Sequence, residues 1–302
     1  MARTPKRIFW GSTGINNVVD PTRIAFDYRK GITDLAFGVN IDIDDTGRPS
    51  RRKGMERQRQ GRWTGLFDCG GYAIGILAAT LYVIERDFSI RGIRNVTEGS
   101  RLRAAIAGGK TYYVTGHEVG IVHHREALAW EAGSYVGPDT RREISGPPIG
   151  HQVAFYNGRM YVAAENIIWY SEPFSYGWFD LARNFIPLPD RIRMIAPVAD
   201  GIYVSDDEGT YFLHGGTPME FARRQVQTAP AIEGTDVRCD GHKLHALQLS
   251  GPVQIWTSTD GIIVGANSGQ TINITEGRLT YPPARYGSAA VIGGRYVTCL
   301  EP

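Results

Sequence analysis

The sequence predicts an all-β chain that folds as a β-propeller of about six blades, preceded by an N-terminal hairpin arm. Two observations carry this. The 302 residues include 37 Gly, and 11% are aromatic; this composition suits short strands joined by tight turns. A hairpin unit also recurs along the chain, each time as a turn pair or Gly followed by a short run of aromatic and β-branched residues.

The unit reads Gly108-Gly109-Lys110-Thr111-Tyr112-Tyr113-Val114, then Asn157-Gly158-Arg159-Met160-Tyr161-Val162. It returns as Asp200-Gly201-Ile202-Tyr203-Val204, Asp260-Gly261-Ile262-Ile263-Val264 and Gly293-Gly294-Arg295-Tyr296-Val297. Asn-Gly and Asp-Gly between apolar runs are strong hairpin signals, because both central residues of a type I′ turn need positive φ. Apolar runs such as Val153–Tyr156 precede the turns. Runs such as Ile167–Ser171 and Thr210–Leu213 follow two of them. Each repeat thus reads as strand, hairpin, strand, turn, strand. Such a sheet cannot bury both faces alone, but sheets packed face to face around an axis bury one another. Two β-sandwiches in series would also give short, evenly spaced strands; recurrence of the whole hairpin unit favours the propeller. The chain ends inside a strand pattern, Ala289–Leu300, which predicts a last blade completed by an N-terminal strand.

Residues 1–62 read as the arm, partly completing the propeller, and 63–302 as the propeller body. The arm carries 13 Lys/Arg against 7 Asp/Glu, whereas the remainder carries 20 against 24, within a net charge of +2. A basic arm on a slightly acidic body points to contact with another subunit or with nucleic acid. Val39–Asp44 alternates strictly, Asp45-Thr46-Gly47 turns, and Arg48–Met55 returns with Arg51, Arg52 and Lys53 in a row. This predicts a hairpin with one acidic and one basic strand, their charges facing across the pair. Arg51, Arg52, Lys53, Arg57, Arg59 and Arg62 are the candidate contact residues, for a neighbouring subunit ahead of DNA phosphates. Only Trp63 lies nearby to stack on a base.

Nothing in the sequence marks a catalytic, cofactor or metal site, and the chain is read as a non-enzyme. Cys69, Cys239 and Cys299 are odd in number and far apart, which fits neither a disulfide framework nor a zinc site and suits a reducing cytoplasm. The N-terminus leads into no apolar signal segment, and Tyr72–Ile84 is too short to span a bilayer. Asn40-x-Asp42-x-Asp44 begins like a calcium loop, but Asp45 stands where the turn needs Gly, and Arg51 where it needs Glu. His123-His124 and His242-x-x-His245 lack the acidic helix of a metalloprotease site and read as packing or surface residues. Gly-x-Ser-x-Gly, Walker A and G-x-G-x-x-G are missing. Ser205-Asp206-Asp207-Glu208-Gly209-Thr210-Tyr211-Phe212 resembles the Asp-box of sialidase-like propellers, which in that family is a folding turn.

Several stretches together resemble the β-propeller nozzle, or tail-stabilisation, proteins of short-tailed bacteriophages. They are Gly14–Val18, Asn40–Gly54, Trp169–Pro173 with Asn184–Pro189, and Asp200–Val204 with Gly209–Phe212. The resemblance implies a structural virion protein, assembled in the host cytoplasm and placed in the tail. It further implies a homo-hexameric ring below the portal and adaptor, in reach of tail fibres, that retains the genome and conducts DNA during ejection. The alternative is a glycan-binding or sialidase-like propeller. It has one box and no Arg-Ile-Pro motif behind it. A cellular WD or kelch scaffold would show repeated Gly-His and Trp-Asp pairs or regular Gly-Gly spacing, which this chain lacks.

Overall fold

The computed structural model describes residues 11–27, 32–44, 46–54, 56–133, 142–244 and 247–301. The chain is an all-β propeller. Its N-terminal strands come first: β1 (Gly11–Ile15), β2 (Phe26–Asp27) and β3 (Ile32–Leu35) form one sheet in the order β1-β3-β2, and β4 (Ile41–Ile43) pairs with β5 (Pro49–Arg51). The predicted hairpin is therefore present, but its register sets Ile41 opposite Arg51, Asp42 opposite Ser50 and Ile43 opposite Pro49. In these three pairs no acid faces a base; only at the turn does Asp44 stand opposite Arg48. Asp44 closes the turn, accepting from the backbone N–H groups of Thr46 (2.9 Å) and Arg48 (3.0 Å). The Thr46 hydroxyl, which donates to the same oxygen, and these backbone bonds hold its carboxyl below the usual range.

The propeller begins with the sheet of β6 (Trp63–Asp68), β7 (Ala73–Leu77), β8 (Thr80–Ile84) and β9 (Ile90–Asn95). The second is β10 (Arg103–Ala107), β11 (Lys110–Val114), β12 (Val119–His123) and β13 (Glu126–Leu128). The third is β14 (Gln152–Tyr156), β15 (Arg159–Ala164) and β16 (Ile167–Glu172), with β17 (Ser175–Phe179) and β18 (Phe185–Pro187) both on β16. The fourth is β19 (Met194–Pro197), β20 (Gly201–Ser205), β21 (Thr210–His214) and β22 (Ala222–Gln227). The fifth is β23 (Val237–Asp240), β24 (Pro252–Ser258), β25 (Gly261–Gly265) and β26 (Thr271–Asn273). The chain closes with the antiparallel pair β27 (Tyr286–Ile292) and β28 (Arg295–Glu301). The first strands of successive sheets meet, β10 against β6 and β14, β14 against β19, and β23 against β27, so these strands line the axis.

Apolar cores form where one sheet faces the next. Tyr113 and Val122 join Ile74 and Leu81 between the first two sheets. Tyr161 and Ile168 meet Ile195 and Leu213 between the third and fourth. Trp256, Tyr203 and Phe212 stack between the fourth and fifth, with ring centroids 5.3 and 4.8 Å apart. Val291 and Tyr296 cover Val253 and Ile255. The junction of the last sheet with the first is polar. Glu301 at the end of β28 pairs with Arg101 at 2.9 Å and with Arg62, and the Arg101 guanidinium lies 3.8 Å over the Tyr286 ring.

The turn chemistry worked as read at some units and not at others. Asn157 (φ 42°) and Gly158 (φ 75°) make the expected β14–β15 turn, and the 108–109 and 293–294 glycine pairs do the same. Gly201 differs. It lies inside β20, where a Cβ would meet the Leu213 carbonyl oxygen and the Phe212 ring at 2.5 Å. There glycine serves close packing and not the turn. Asp260 falls between the second and third strands of its sheet, because the first hairpin of that sheet is opened by the longer segment 241–251. This is why the spacing of the recurring unit is irregular.

An N-terminal strand is expected in the last sheet. Among the described residues no N-terminal strand pairs with β27 or β28, and the N-terminal strands reach this part of the molecule through other bonds. Arg278 binds Asp34 at 2.9 Å and the Thr13 carbonyl at 3.1 Å, and Arg295 pairs with Asp42. Asn17 and Thr280 exchange bonds of 3.0 and 2.9 Å.

Candidate functional site

The six basic residues of the arm divide into two groups. Arg51 lies in β5, and Arg52 follows it with its backbone N–H on the Asn40 carbonyl at 2.9 Å. Lys53 and Arg57 are exposed beyond them, outside any strand. No side-chain ion pair or hydrogen bond holds these four cations among the described residues. Arg59 and Arg62 are engaged within the molecule. Arg59 gives Nε and Nη2 to the Phe88 carbonyl at 2.9 and 2.7 Å, and Arg62 takes part in the closure at Glu301. The free charges thus sit on, and just beyond, a hairpin that is itself fixed. The Ser12 N–H reaches the Gly47 carbonyl at 2.6 Å, so the hairpin turn is tied to β1. Asp34, which anchors β3 to Arg278, is pushed up by burial, but its bonds from Thr13 and Asn16 and the charge of Arg278 outweigh this and hold its carboxyl low.

A second constellation fills the axis at the end where the inner strands begin. Arg191 binds Glu233 at 2.8 Å, and Glu233 accepts from Gln152 at 3.1 Å. Gln152 in turn accepts from Arg103 Nε at 2.8 Å, and Arg103 pairs with Asp236. Arg103 opens the second sheet and Asp236 precedes the fifth, so this pair spans the axis. His151, beside the belt, donates Nε2–H to the Ile192 carbonyl at 2.6 Å, since that oxygen can only accept. Burial pushes its pKa down and keeps it neutral. Sequence reading missed this belt, whose bonded members lie 42 to 133 positions apart. The only local hint is a polar Gln152 opening an otherwise apolar strand.

The other motifs prove structural. Ser205 Oγ donates to the Gly209 carbonyl at 2.8 Å, and Asp206 Oδ1 accepts from the Glu208 and Gly209 N–H groups at 3.0 and 3.1 Å. The Asp-box-like segment is thus the folded turn between β20 and β21. Asp206 Oδ2 is buried without a hydrogen-bond partner, and burial pushes that carboxyl up. The His123 and His124 rings lie 3.8 Å apart, while the His242 N–H caps onto Asp240 at 3.1 Å; His245 and Asp45 are outside the described residues. Among the described residues no group of three His, Cys, Asp or Glu side chains could hold a metal ion. No helix there is long and apolar enough to cross a membrane. All three cysteines are free.

No protein-family model matches the chain, and no curated protein matches it either. Solved structures do. BBS1N, crystallised in complex with ARL6DN, is similar at TM-score 0.50 and 11% identity over 87% of this chain and 86% of that one. XC5397, a gluconolactonase from Xanthomonas campestris, is similar at TM-score 0.47 and 12% identity over 76% and 80%. The Pan2 WD40 domain of Neurospora crassa is similar at TM-score 0.43 and 10% identity over 75% and 71%. The chain spans 31% of the extracellular domain of BT4673 from B. thetaiotaomicron, at TM-score 0.46 and 10% identity over 76% of this chain. At these identities the likeness concerns the fold alone.

Proposed function

We propose that this chain is a structural subunit of a phage tail nozzle. Copies form a ring below the portal and adaptor, probing no substrate, that retains the genome and passes DNA during ejection. The observation that carries this reading is the set of cations unpaired among the described residues, Arg51 and Arg52 on a hairpin fixed to the propeller and Lys53 and Arg57 in the segment that follows it. A ring needs two different complementary patches on each copy. A basic hairpin meeting the acidic body of the next copy supplies such a pair. The resemblance of Asn40–Gly54 and of Trp169–Pro173 with Asn184–Pro189 to nozzle sequences supports the same role. The Arg103–Asp236 pair crosses the propeller axis, so DNA would pass through the centre of the ring of copies and not through one propeller.

Light scattering followed by negative-stain imaging tests the proposal. Rings with six-fold symmetry, formed alone or with a portal–adaptor complex, are expected. Charge reversal at Arg51, Arg52 and Lys53 should weaken them, and intact rings after that change would exclude the hairpin as the main contact. A strict monomer that ignores portal components, or robust turnover of a fluorogenic glycoside, would overturn the reading.

A further inference from the structure

Where β14 and β19 finish lies an open cleft of about 530 Å³, which Arg238 of β23 also lines. Its polar lining is mostly committed. Tyr156 donates its hydroxyl to the Gly215 carbonyl at 2.7 Å, and Asn157 Nδ2 donates to the Gly216 carbonyl at 2.6 Å. Asp200 accepts from the Ser268 N–H at 2.8 Å. The Arg238 guanidinium is not committed. It is exposed in the cleft with no side-chain partner among the described residues.

Segments next to the lining residues Asn157 and Gly216 carry exposed apolar side chains. Phe174 is 80% exposed, yet its N–H binds the Gly158 carbonyl at 2.7 Å, and its ring lies over Gly158, 3.0 Å from where a Cβ would stand. It also sits at φ 57°, a left-handed conformation that is costly for an aromatic residue. Asn157 joins this turn to the loop 215–220, where Met219 is 89% exposed. A phenyl ring kept in water on a strained backbone is a marker of function, since packing does not require it.

We propose that this cleft docks an extended segment of another protein, with an Asp or Glu carboxylate on Arg238 and its apolar neighbours on Phe174 and Met219. An aromatic, a Met and an Arg around a cleft are the residues enriched at protein interfaces. A saccharide would need several free donors and acceptors inside the cleft; Tyr156, Asn157 and Asp200 are spent on neighbouring backbone, which leaves His214, its ring 3.9 Å from Asp200, as the remaining polar side chain beside Arg238. The carboxylate follows from the one unpaired cation, whose fork of donors matches it.

An array of synthetic ten-residue peptides tests this on the full chain. Each peptide carries a central Asp or Glu between Leu, Ile, Phe or Met, and each has a twin with Asn or Gln at the centre. The acid-centred peptides should bind at least about tenfold more tightly than their twins, as expected for a charge-assisted bidentate bond. Arg238→Gln should erase that discrimination while leaving the melting temperature unchanged. Phe174→Asn should weaken binding yet raise the melting temperature, because Asn tolerates left-handed backbone. Equal binding by the Arg238→Gln variant, or no binding of acid-centred peptides, would overturn the proposal. So would Arg238-dependent binding of uronic or sialic acids in place of peptides, or a change in the oligomeric state of the chain alone in Arg238→Gln, which would make the occupant another copy.

Discussion

Replacing Asp236 by Ala should open the belt that crosses the propeller axis. Its side chain and that of Arg103 are 17% and 20% exposed. Removing one partner of a fully buried ion pair costs about 3–5 kcal/mol, because the other charge is left uncompensated. Arg103 keeps its 2.8 Å bond to Gln152, and partial exposure lets water reach the freed guanidinium. The expected loss is therefore lower, about 2–3 kcal/mol. With a urea dependence of about 3 kcal/mol per molar for a chain of this size, the unfolding midpoint should fall by about 0.7–1 M. The double variant Arg103→Met/Asp236→Leu should recover most of that loss, since an apolar pair of similar volume removes both charges together. A single variant that loses less than about 0.5 kcal/mol would refute the reasoning, because that is the scale of an ordinary surface change. A double variant that is simply additive would refute it too, by showing that the two side chains do not act as a pair.

Two further outcomes follow from the core and the belt. In Gly265→Ala the new methyl would stand 2.7 Å from the Trp256 and Tyr203 rings, both fully buried. Overpacking of this kind should cost about 1–3 kcal/mol, read as a lower melting temperature. His151 has its folded pKa pushed below its ordinary value by burial, so the folded state resists protonation. Its contribution to stability is complete above the unfolded histidine pKa of about 6.5 and is lost as the pH falls below it. The urea midpoint should drop between pH 7.5 and 5.5, and His151→Gln should flatten that drop; an equal drop in the variant would assign it to other groups.

The sequence by itself determined that this chain is built of short antiparallel strands around tight turns, because the signals for these are local. Asn157-Gly158 needs two positive φ angles within four residues, and the alternation of Val39–Asp44 stands on the hairpin's own strands. It also showed the run Arg51-Arg52-Lys53, since charge is a property of the chain before it folds. Tertiary structure alone decided which charges remain free. Arg59 and Arg62 look like their neighbours in sequence, but Arg59 meets the Phe88 carbonyl and Arg62 meets Glu301, 239 residues away. Asp42 looked like a cross-strand partner for the basic strand, and it turned to Arg295 because the hairpin register put Ser50 opposite it. The axis belt and the cleft at Arg238 were equally out of reach. Both collect single residues from several sheets, and only closure of the ring brings such residues together, leaving no spacing for a linear reading to find.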